Sequence, residues 1–461
     1  MASSRLIPLI IASALFMENM DSTVIATSLP AIARDLGTDP IVLKLAFTTY
    51  LLSLTVFIPV SGWLADRFGA RHVFRAAIAV FTIGSVACGL ATSLGGLVAA
   101  RGLQGIGGAM MVPVGRIILL RTVPKSELVD ALAWLTIPAL IGPLVGPPVG
   151  GFITDNFGWR WVFWMNLPFG IAAIALATAL MPETSVDKVP PLDARGFLLS
   201  GLGLSSFIFG LTVMGRDLLP GYTPSLLVVF GAVLTALYVR HARVTENPIL
   251  DLKLLSIETF RAGVVGGSLF RIGVGAVPFL LPLMFQLAYG MSAFESGLIT
   301  FVAAAGAISM KLGAARLIRR FGFRQLLIVN GLIASASIAV MGLLSSSTPY
   351  LLAVALLFAG GFLRSLQFTA LNAMSYSDVD HAQASYATSL YTVVQQLSLS
   401  VGVVLAAFVL EAAQWWRAEQ ALTPLDFTIV FFVVAACSVS AVLQFMGLSA
   451  GAGASVSGRP K

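Results

Sequence analysis

Long apolar stretches, separated by short polar segments, occur along almost the whole chain. A helix that crosses a bilayer needs about 20 consecutive, mainly apolar residues. By this criterion the sequence predicts about fourteen membrane-spanning helices. Their approximate ranges are 7–29, 46–65, 74–92, 96–117, 129–153, 161–181, 196–215, 223–240, 262–288, 294–312, 325–345, 349–375, 384–410 and 427–447. The pattern therefore predicts an all-α membrane protein with no room for a sizeable soluble domain.

The composition supports this fold class. Charged residues make up 11% of the 461 residues and hydrophobic residues 57%, whereas soluble domains contain about 25% charged residues. The net charge of +7 would suggest nucleic-acid binding in a soluble protein. In a membrane protein, an excess of Lys and Arg in cytoplasmic loops explains it better, so we predict no nucleic-acid partner.

The distribution of the 28 basic residues predicts the orientation. If the N-terminus is cytoplasmic, most of them fall in segments that are also cytoplasmic, and few fall in the outer segments. This asymmetry predicts that both the N- and the C-terminus are cytoplasmic.

Two pairs of segments indicate a weak internal repeat. The second span ends in Gly62–Gly69 and the tenth in Gly313–Gly322, and both segments end in Phe-Gly after basic residues. Spans four and twelve both carry Arg and Gln three residues apart. Spans one to six thus resemble spans nine to fourteen. We expect a six-helix bundle over 1–182, a linker with two extra helices over 183–258, a second six-helix bundle over 259–447 and a flexible cytoplasmic tail over 448–461.

Two carboxylates, Glu18 and Asp21, interrupt the first apolar stretch. Their spacing of three residues places them on one face of a helix. An ionisable group in hydrocarbon is costly and commonly marks an ion or proton pathway. The acids also argue against a cleaved signal peptide, so we interpret the stretch as a retained first helix. A structural acid paired with a nearby base is the alternative, above all for Glu18.

Three motifs carry further candidate residues. In GWLADRFGAR, at 62–71, glycines permit a tight turn beside an acid and several bases; the alternative is a basic loop that only sets topology. In LVAARGLQGIGGA, at 97–109, Arg101 lies within a span and must face protein or water; the alternative is glycine packing with a snorkelling Arg. In GPLVGPPVGG, at 142–151, prolines and glycines predict a bent, closely packed helix suited to a moving interface; the alternative is a static kink.

Together with MDSTVIATSLP at 20–30, these motifs resemble the major facilitator superfamily, and more specifically its fourteen-helix drug:proton antiporters (EmrB/QacA type). The resemblance covers nearly the whole chain. It implies proton coupling at Asp21 and Arg101. Glu18 has no counterpart in these motifs and is a further candidate for proton coupling because it shares the helix face of Asp21. It also implies gating or conformational roles for Gly62, Asp66, Arg67, Gly69, Arg71, Gly142, Gly146, Pro147, Gly150 and Gly151. One departure is that the segment at 313–322 lacks the acid that corresponds to Asp66, which puts a matching pairing there in doubt.

Other polar residues within the spans are candidates for a substrate cavity: Gln104, Asn166, Arg271, Gln367, Asn372, Gln395 and Gln396. Hydrogen bonding between helices is the alternative role for each amide. For Arg271 the alternative is a structural ion pair. We expect no metal site and no cofactor, because the spans contain no cluster of metal ligands and the proton gradient would supply the energy.

The leading hypothesis is a proton-coupled antiporter of the bacterial cytoplasmic (inner) membrane that exports drugs or other apolar or amphipathic compounds by alternating access. Its partners would be a small-molecule substrate, protons and the lipid bilayer; a periplasmic adaptor is left open. One alternative is an exporter of a single metabolite, such as an amino acid, sugar or lipid. Another is a non-transporting receptor or scaffold, which would usually carry a soluble output domain. An enzyme is not expected, because the sequence contains no nucleophile–base constellation.

Overall fold

In the computed structural model, residues 2–123, 128–183, 189, 191–214, 219–311, 313–345, 347–380, 383–417, 421–449 and 451–453 are described. Within these residues the chain folds into long helices joined by short connections. They are α1 (Ala2–Asp35), α2 (Lys44–Phe68), α3 (Ala70–Gly89), α4 (Leu94–Thr122), α5 (Leu128–Phe157), α6 (Arg160–Leu180), α7 (Ala194–Val213), α8 (Thr223–Val244), α9 (Glu258–Ala288), α10 (Ala293–Lys311), α11 (Phe323–Met341), α12 (Tyr350–Ser375), α13 (Ala384–Arg417) and α14 (Pro424–Met446). A short helix, Ala314–Phe321, lies between α10 and α11.

The predicted membrane-spanning helices agree with these elements. Within the described residues, 13 helices are long and apolar enough to cross a membrane. The remaining long helix, α5, has 30 residues, which corresponds to about 45 Å at a rise of 1.5 Å per residue. The prediction of an all-α membrane protein with about fourteen spans is therefore confirmed. Most of the predicted tail at 448–461 lies outside the described residues.

Local sequence explains where several helices begin. The Ser93 hydroxyl accepts a hydrogen bond from the Gly96 N–H (3.2 Å) and caps α4. Thr423 and Asp426 form a capping box at the start of α14. These side chains satisfy backbone N–H groups that have no partner within the helix.

The two segments of the sequence repeat have the same backbone turn. Gly69 ends α2 with φ 86° and ψ 128°, and Gly322 ends the short helix before α11 with φ 71° and ψ 165°. Glycine adopts a positive φ without the steric cost that other residues have. The Phe-Gly element therefore makes an equivalent turn into α3 and into α11.

The helices form two groups that correspond to the two ends of the sequence. In the first group, α1 packs along α5, and α4 packs between α2 and α3. In the second group, α9 packs against α13 and α14, and α12 packs against α10 and α11. The α7–α8 pair forms a hairpin that leans mainly on α2. Contacts between the groups run mainly through α2–α13 and α5–α10.

The two groups meet most closely at one end of the molecule, which we name the closed end; it contains the C-termini of α1, α5 and α9 and the N-termini of α2 and α10. There a single hydrophobic cluster joins Leu29 and Phe47 of the first group to Phe279 and Val430 of the second. The Phe47 and Phe279 rings meet edge to face, with centroids 6.4 Å apart. At the opposite end, the open end, the described buried residues form separate clusters, one in each group. The groups thus enclose a cleft that narrows toward the closed end.

Candidate functional site

Asp21 is the centre of a buried polar network between α1, α3, α4 and α6. It is 2% exposed, and its partner Arg101 is 1% exposed. The Arg101 Nη1 donates to Asp21 Oδ2 at 2.6 Å, which makes a buried ion pair. Asp21 Oδ1 accepts from the side-chain amides of Gln104 and Asn166, each at 2.8 Å. The carboxylate therefore accepts three hydrogen bonds, one of them from a charged guanidinium.

Further groups complete this network. The Ser85 hydroxyl accepts from Asn166 at 2.9 Å and from Gln104 at 3.2 Å, and donates to the Phe163 carbonyl at 2.8 Å. The Arg101 guanidinium lies over the Tyr50 ring, 4.2 Å from its centroid. The sequence did not single out Ser85 or Tyr50. Their only signal is that a polar or aromatic side chain lies within an apolar span, and many helix-packing residues share that feature.

Glycines allow the helices of this site to approach closely. A Cβ at Gly84 of α3 would lie 2.6 Å from the Gln104 backbone nitrogen, and a Cβ at Gly105 of α4 would lie 2.7 Å from the Tyr50 carbonyl oxygen. Any larger residue at either position would push α4 away from its neighbours. Arg101 and Gln104 reach Asp21 because small residues hold α4 against α2 and α3.

Glu18 lies one turn from Asp21 along α1 and has a different environment. Its side chain is partly exposed, and its Oε2 atom is buried with no hydrogen-bond partner among the described residues. Within the described part of the chain, the Tyr50 hydroxyl is also buried without a partner. Both groups face Gly108: a Cβ there would lie 3.1 Å from the Tyr50 hydroxyl and 3.7 Å from Glu18 Cγ. Glu18 and Tyr50 thus lie next to each other beside the Asp21 network.

The glycine face of α5 packs directly on the part of α1 that carries both acids. A Cβ at Gly142 would lie 3.0 Å from the Phe16 carbonyl oxygen, one at Gly146 would lie 3.4 Å from the Met20 carbonyl oxygen, and one at Gly150 would lie 2.6 Å from the Val24 carbonyl oxygen. The three contacts follow α1 one turn at a time.

The opposite side of α5 contacts α10 of the second group. A Cβ at Gly151 would lie 2.6 Å from the backbone of Ala293, and a Cβ at Gly297 would lie 2.7 Å from the Pro147 carbonyl carbon. The Phe294 N–H donates to Asp155 at 2.8 Å. Helix α5 therefore connects the Asp21 helix to the second group.

The 62–71 motif lies at the open end and pairs within the first group. Asp66 accepts from Arg121 of α4 at 2.5 Å, with both side chains about one third exposed. Arg71 donates to the Thr178 carbonyl and lies 3.4 Å from Glu183. Gly62 faces α4 near Ile117, at 4.0 Å; Gly69 makes the turn described above; Arg67 is exposed.

The amide residues that were predicted to line the cavity lie in three different environments. Gln104 and Asn166 are buried against Asp21. Gln367 is fully buried, accepts from Asn330 of α11 at 2.8 Å and donates to the Leu327 carbonyl at 3.0 Å. Gln395 and Gln396 are half-buried on α13, and Asn372 is exposed near the end of α12.

Arg271, in the middle of α9, is fully buried. Its guanidinium donates to the Tyr391 hydroxyl and lies 4.5 Å from the centroid of that ring. Within the described residues, no carboxylate lies within ion-pair distance of it. The structural ion pair that the sequence left open as the alternative role of Arg271 is therefore not found among the described residues.

The closed end holds an ion pair that the sequence reasoning missed. Lys44, at the start of α2, is 1% exposed and lies 2.7 Å from Glu411 of α13. The Gln286 amide of α9 donates to the Thr27 carbonyl of α1 at 2.8 Å. The signal in the sequence was Glu411, an acid directly after the apolar stretch 384–410. No sequence pattern predicts which basic residue pairs with it.

Comparisons with known proteins identify the family and the fold. The family model of the Major Facilitator Superfamily matches residues 11–403. A putative multidrug resistance protein MdtD of Cronobacter sakazakii is 37% identical over 404 residues, covering 87% of this chain and 85% of that protein. The protein of the same name from Salmonella paratyphi B is 36% identical over 402 residues, with the same coverage.

Solved transporter structures share the fold. A D-xylose-proton symporter aligns with a TM-score of 0.68 at 16% identity, covering 96% of this chain and 97% of that chain. A peptide transporter POT in complex with sulfate aligns with a TM-score of 0.72 at 13% identity, covering 98% and 96%. The resemblance stated from the motifs is confirmed, and with it a multi-pass, non-enzymatic transporter of small molecules. The chain belongs to the Major Facilitator Superfamily.

Proposed function

We propose that the protein is a proton-coupled antiporter that exports apolar or amphipathic compounds by alternating access. The observation that carries the proposal is the buried Asp21–Arg101 pair, at 2.6 Å, in a span that is otherwise largely apolar. The name of the relatives, multidrug resistance protein, supports drugs as the substrates. The bacterial sources of these relatives, together with the membrane-spanning helices, support the bacterial inner membrane as the location. The 1–182 and 259–447 bundles would move against each other, and 183–258 would link them.

Protonation of Asp21 would drive the conformational change through charge. Arginine keeps its positive charge at all relevant pH values. When Asp21 takes up a proton, Arg101 loses its counter-charge while 1% exposed, and an unpaired buried charge is strongly unfavourable. Only a rearrangement that gives Arg101 water or a new partner relieves this cost. The proton thus favours a different packing of α1 against α4.

Helix α5 would transmit this rearrangement to the second bundle. Its face of Gly142, Gly146 and Gly150 contacts the backbone of α1, and Gly151 and Pro147 contact α10. Because these contacts are between backbones, a shift of α1 cannot be absorbed by side-chain rotation. A displacement near Asp21 therefore reaches the interface between the bundles.

Glu18 would be the entry point of the proton from the cleft. It is partly exposed, lies one turn from Asp21, and faces the unpartnered Tyr50 hydroxyl. A hydroxyl can both accept and donate a proton. Tyr50 also lies under Arg101, so the pair Glu18–Tyr50 would connect the cleft to the Asp21 network.

The predicted orientation of the termini determines to which side of the membrane the cleft would open. With both termini cytoplasmic, the closed end faces the outside and the cleft opens to the cytoplasm. The Lys44–Glu411 pair would then be part of the outer gate. The 62–71 motif would act on the cytoplasmic side, where Asp66 pairs with Arg121. Gln395 and Gln396 would face the substrate from the second bundle.

Transport into inside-out vesicles reconstituted with the purified protein, under an imposed pH gradient, tests the proposal. We expect uptake of amphipathic compounds to depend on the gradient and to stop when an ionophore collapses it. Uptake that is independent of the gradient would refute antiport.

The range of substrates separates the proposal from its alternative, an exporter of a single metabolite. A panel of structurally unrelated drugs, amino acids and sugars in the same vesicles decides between them. Transport of one compound class only would favour the single-metabolite exporter. Because the reconstituted vesicles contain this protein alone, uptake there would also exclude an absolute need for a periplasmic adaptor.

A further inference from the structure

The proposed proton coupling does not involve the buried guanidinium of Arg271. Its Nη2 donates to Tyr391, but its Nε and Nη1 atoms are buried and have no acceptor among the residues that the structure describes. Guanidinium has five N–H donors and cannot lose its charge. A buried cation without a counter-ion is unfavourable, and aromatic contact compensates only part of the cost.

The chain makes specific room for this cation. One turn before Arg271, a Cβ at Gly267 would lie only 2.7 Å from the Arg271 Nη1. The guanidinium lies between the rings of Tyr391, at 4.5 Å, and Phe368, at 5.8 Å. The Tyr376 ring packs on Tyr391 with centroids 5.4 Å apart. These neighbouring segments thus build an aromatic frame around one charge.

The frame extends toward the open end, where the chain leaves α12. Tyr376 follows the last residue of α12 and is half-exposed. Burial raises the pKa of Tyr376 to about 12, and the positive charges of Arg116 and Arg271 act against that rise. Arg116 belongs to α4 of the other bundle and is exposed. Tyr376 thus lies at the edge of the aromatic frame, in the turn that follows α12.

The charge balance within the spans also favours an anion. Asp21 and Arg101 neutralise each other, whereas Arg271 and Arg364 have no carboxylate within ion-pair distance in the described residues. Arg364 contacts the Met341 sulfur at 3.6 Å. Of these two cations, Arg271 is the one that contacts the aromatic frame, which extends toward the open end.

We infer that Arg271, with Tyr391, Tyr376 and Phe368, is the recognition site for the carboxylate of an aromatic, amphipathic organic acid that enters from the open end. A guanidinium binds a carboxylate through charge-assisted hydrogen bonds. The rings around it match an aromatic body attached to that carboxylate. This inference rests on the proposed transport function and specifies its substrate class.

Binding to the purified full-length protein tests the site without requiring transport. The probes are 2-naphthoate and its uncharged amide, 2-naphthamide, measured by calorimetry in phosphatidylcholine nanodiscs. We expect naphthoate to bind the wild type about 10- to 100-fold more tightly than the amide, the range given by charge-assisted hydrogen bonds. Arg271→Gln should abolish this preference, and Arg271→Lys should retain part of it.

Arg364→Gln is the matched control, because it removes another buried arginine of the same bundle that has no carboxylate within ion-pair distance among the described residues. It should keep the preference for naphthoate. Gly267→Ala should reduce the preference, since its Cβ would displace the guanidinium. Equal binding of both probes to the wild type, or an unchanged preference in Arg271→Gln, would overturn the inference.

Two further measurements identify the occupant and separate the site from transport. In phosphatidylglycerol nanodiscs, unchanged naphthoate binding supports a soluble organic acid, whereas loss of that binding would identify a lipid phosphate as the occupant and overturn the inference. The same probe pair is then offered to inside-out vesicles. Arg271-dependent binding without gradient-driven uptake would refute the proposed antiport but keep the site. Gradient-driven uptake without any preference for naphthoate would support the proposed antiport and refute the site.

Discussion

Replacing Asp21 by Asn is the sharpest perturbation of the proposed coupling site. The substitution keeps the shape of the side chain and removes its charge. It leaves Arg101, 1% exposed, without a counter-ion. It also places an amide beside the Gln104 and Asn166 amides, which both donate to the same Asp21 oxygen at 2.8 Å.

The magnitude follows from the burial of both partners. Breaking a buried ion pair by removing one partner costs about 3–5 kcal/mol, because the remaining charge is uncompensated. Removing both charges costs much less, since the desolvation penalty disappears together with the attraction. We therefore expect Asp21→Asn to lower the free energy of unfolding by about 4 kcal/mol. We expect Asp21→Asn with Arg101→Gln to recover most of that loss.

The assay combines unfolding in mixed micelles with vesicle transport for the wild type, both single variants and the double variant. The double variant should be nearly as stable as the wild type and yet show no gradient-driven export. This outcome separates a coupling role from a structural one. Equal instability of the single and double variants would refute the energetic reasoning. Wild-type gradient-driven export by Asp21→Asn would exclude Asp21 as the coupling site.

Three further predictions concern other parts of the mechanism. Lys44→Glu should open the closed end, seen as a longer distance between spin labels on α2 and α13, and adding Glu411→Lys should restore it; no change in the single variant would exclude a gating role. Gly150→Ala should destabilise the fold by about 1–3 kcal/mol because its Cβ overpacks α1, whereas Gly95→Ala, with nothing within 4 Å, serves as the neutral control in the same unfolding measurement. Glu18→Gln should leave the free energy of unfolding unchanged or raise it, since the carboxylate has an unpartnered buried oxygen, while slowing gradient-driven export; a stability loss as large as that of Asp21→Asn would contradict this.

The positions of the helices could be predicted from the sequence, although several helices extend beyond the predicted ranges: α1 covers Ala2–Asp35 against 7–29, and α13 covers Ala384–Arg417 against 384–410. Each apolar stretch of about 20 residues can satisfy its backbone in lipid only as a helix. The repeat was also visible, because Gly69 and Gly322 need the same positive φ. The motifs likewise identified Asp21 and Arg101 as a pair of interest, since ionisable residues within spans are rare.

The partners of these residues were less predictable. Gln104 and Asn166 were candidates for a substrate cavity, with hydrogen bonding between helices as the alternative, and in the structure both donate to Asp21 at 2.8 Å. An amide in a span can face a cavity or a neighbouring helix, and its spacing is the same in both cases. The Lys44–Glu411 pair was not foreseen either, because the two residues are 367 positions apart and their spacing does not show which helices meet.

The sequence by itself thus determined the membrane-spanning helices, their repeat and the superfamily, because these depend on local hydrophobicity and local backbone conformation. Only the tertiary structure decided which polar groups meet. It paired Asp21 with Arg101, left Arg271 without a counter-ion among the described residues, and closed one end of the cleft. Such pairings depend on how distant helices are rotated and packed, and close packing of backbones at glycines sets that rotation.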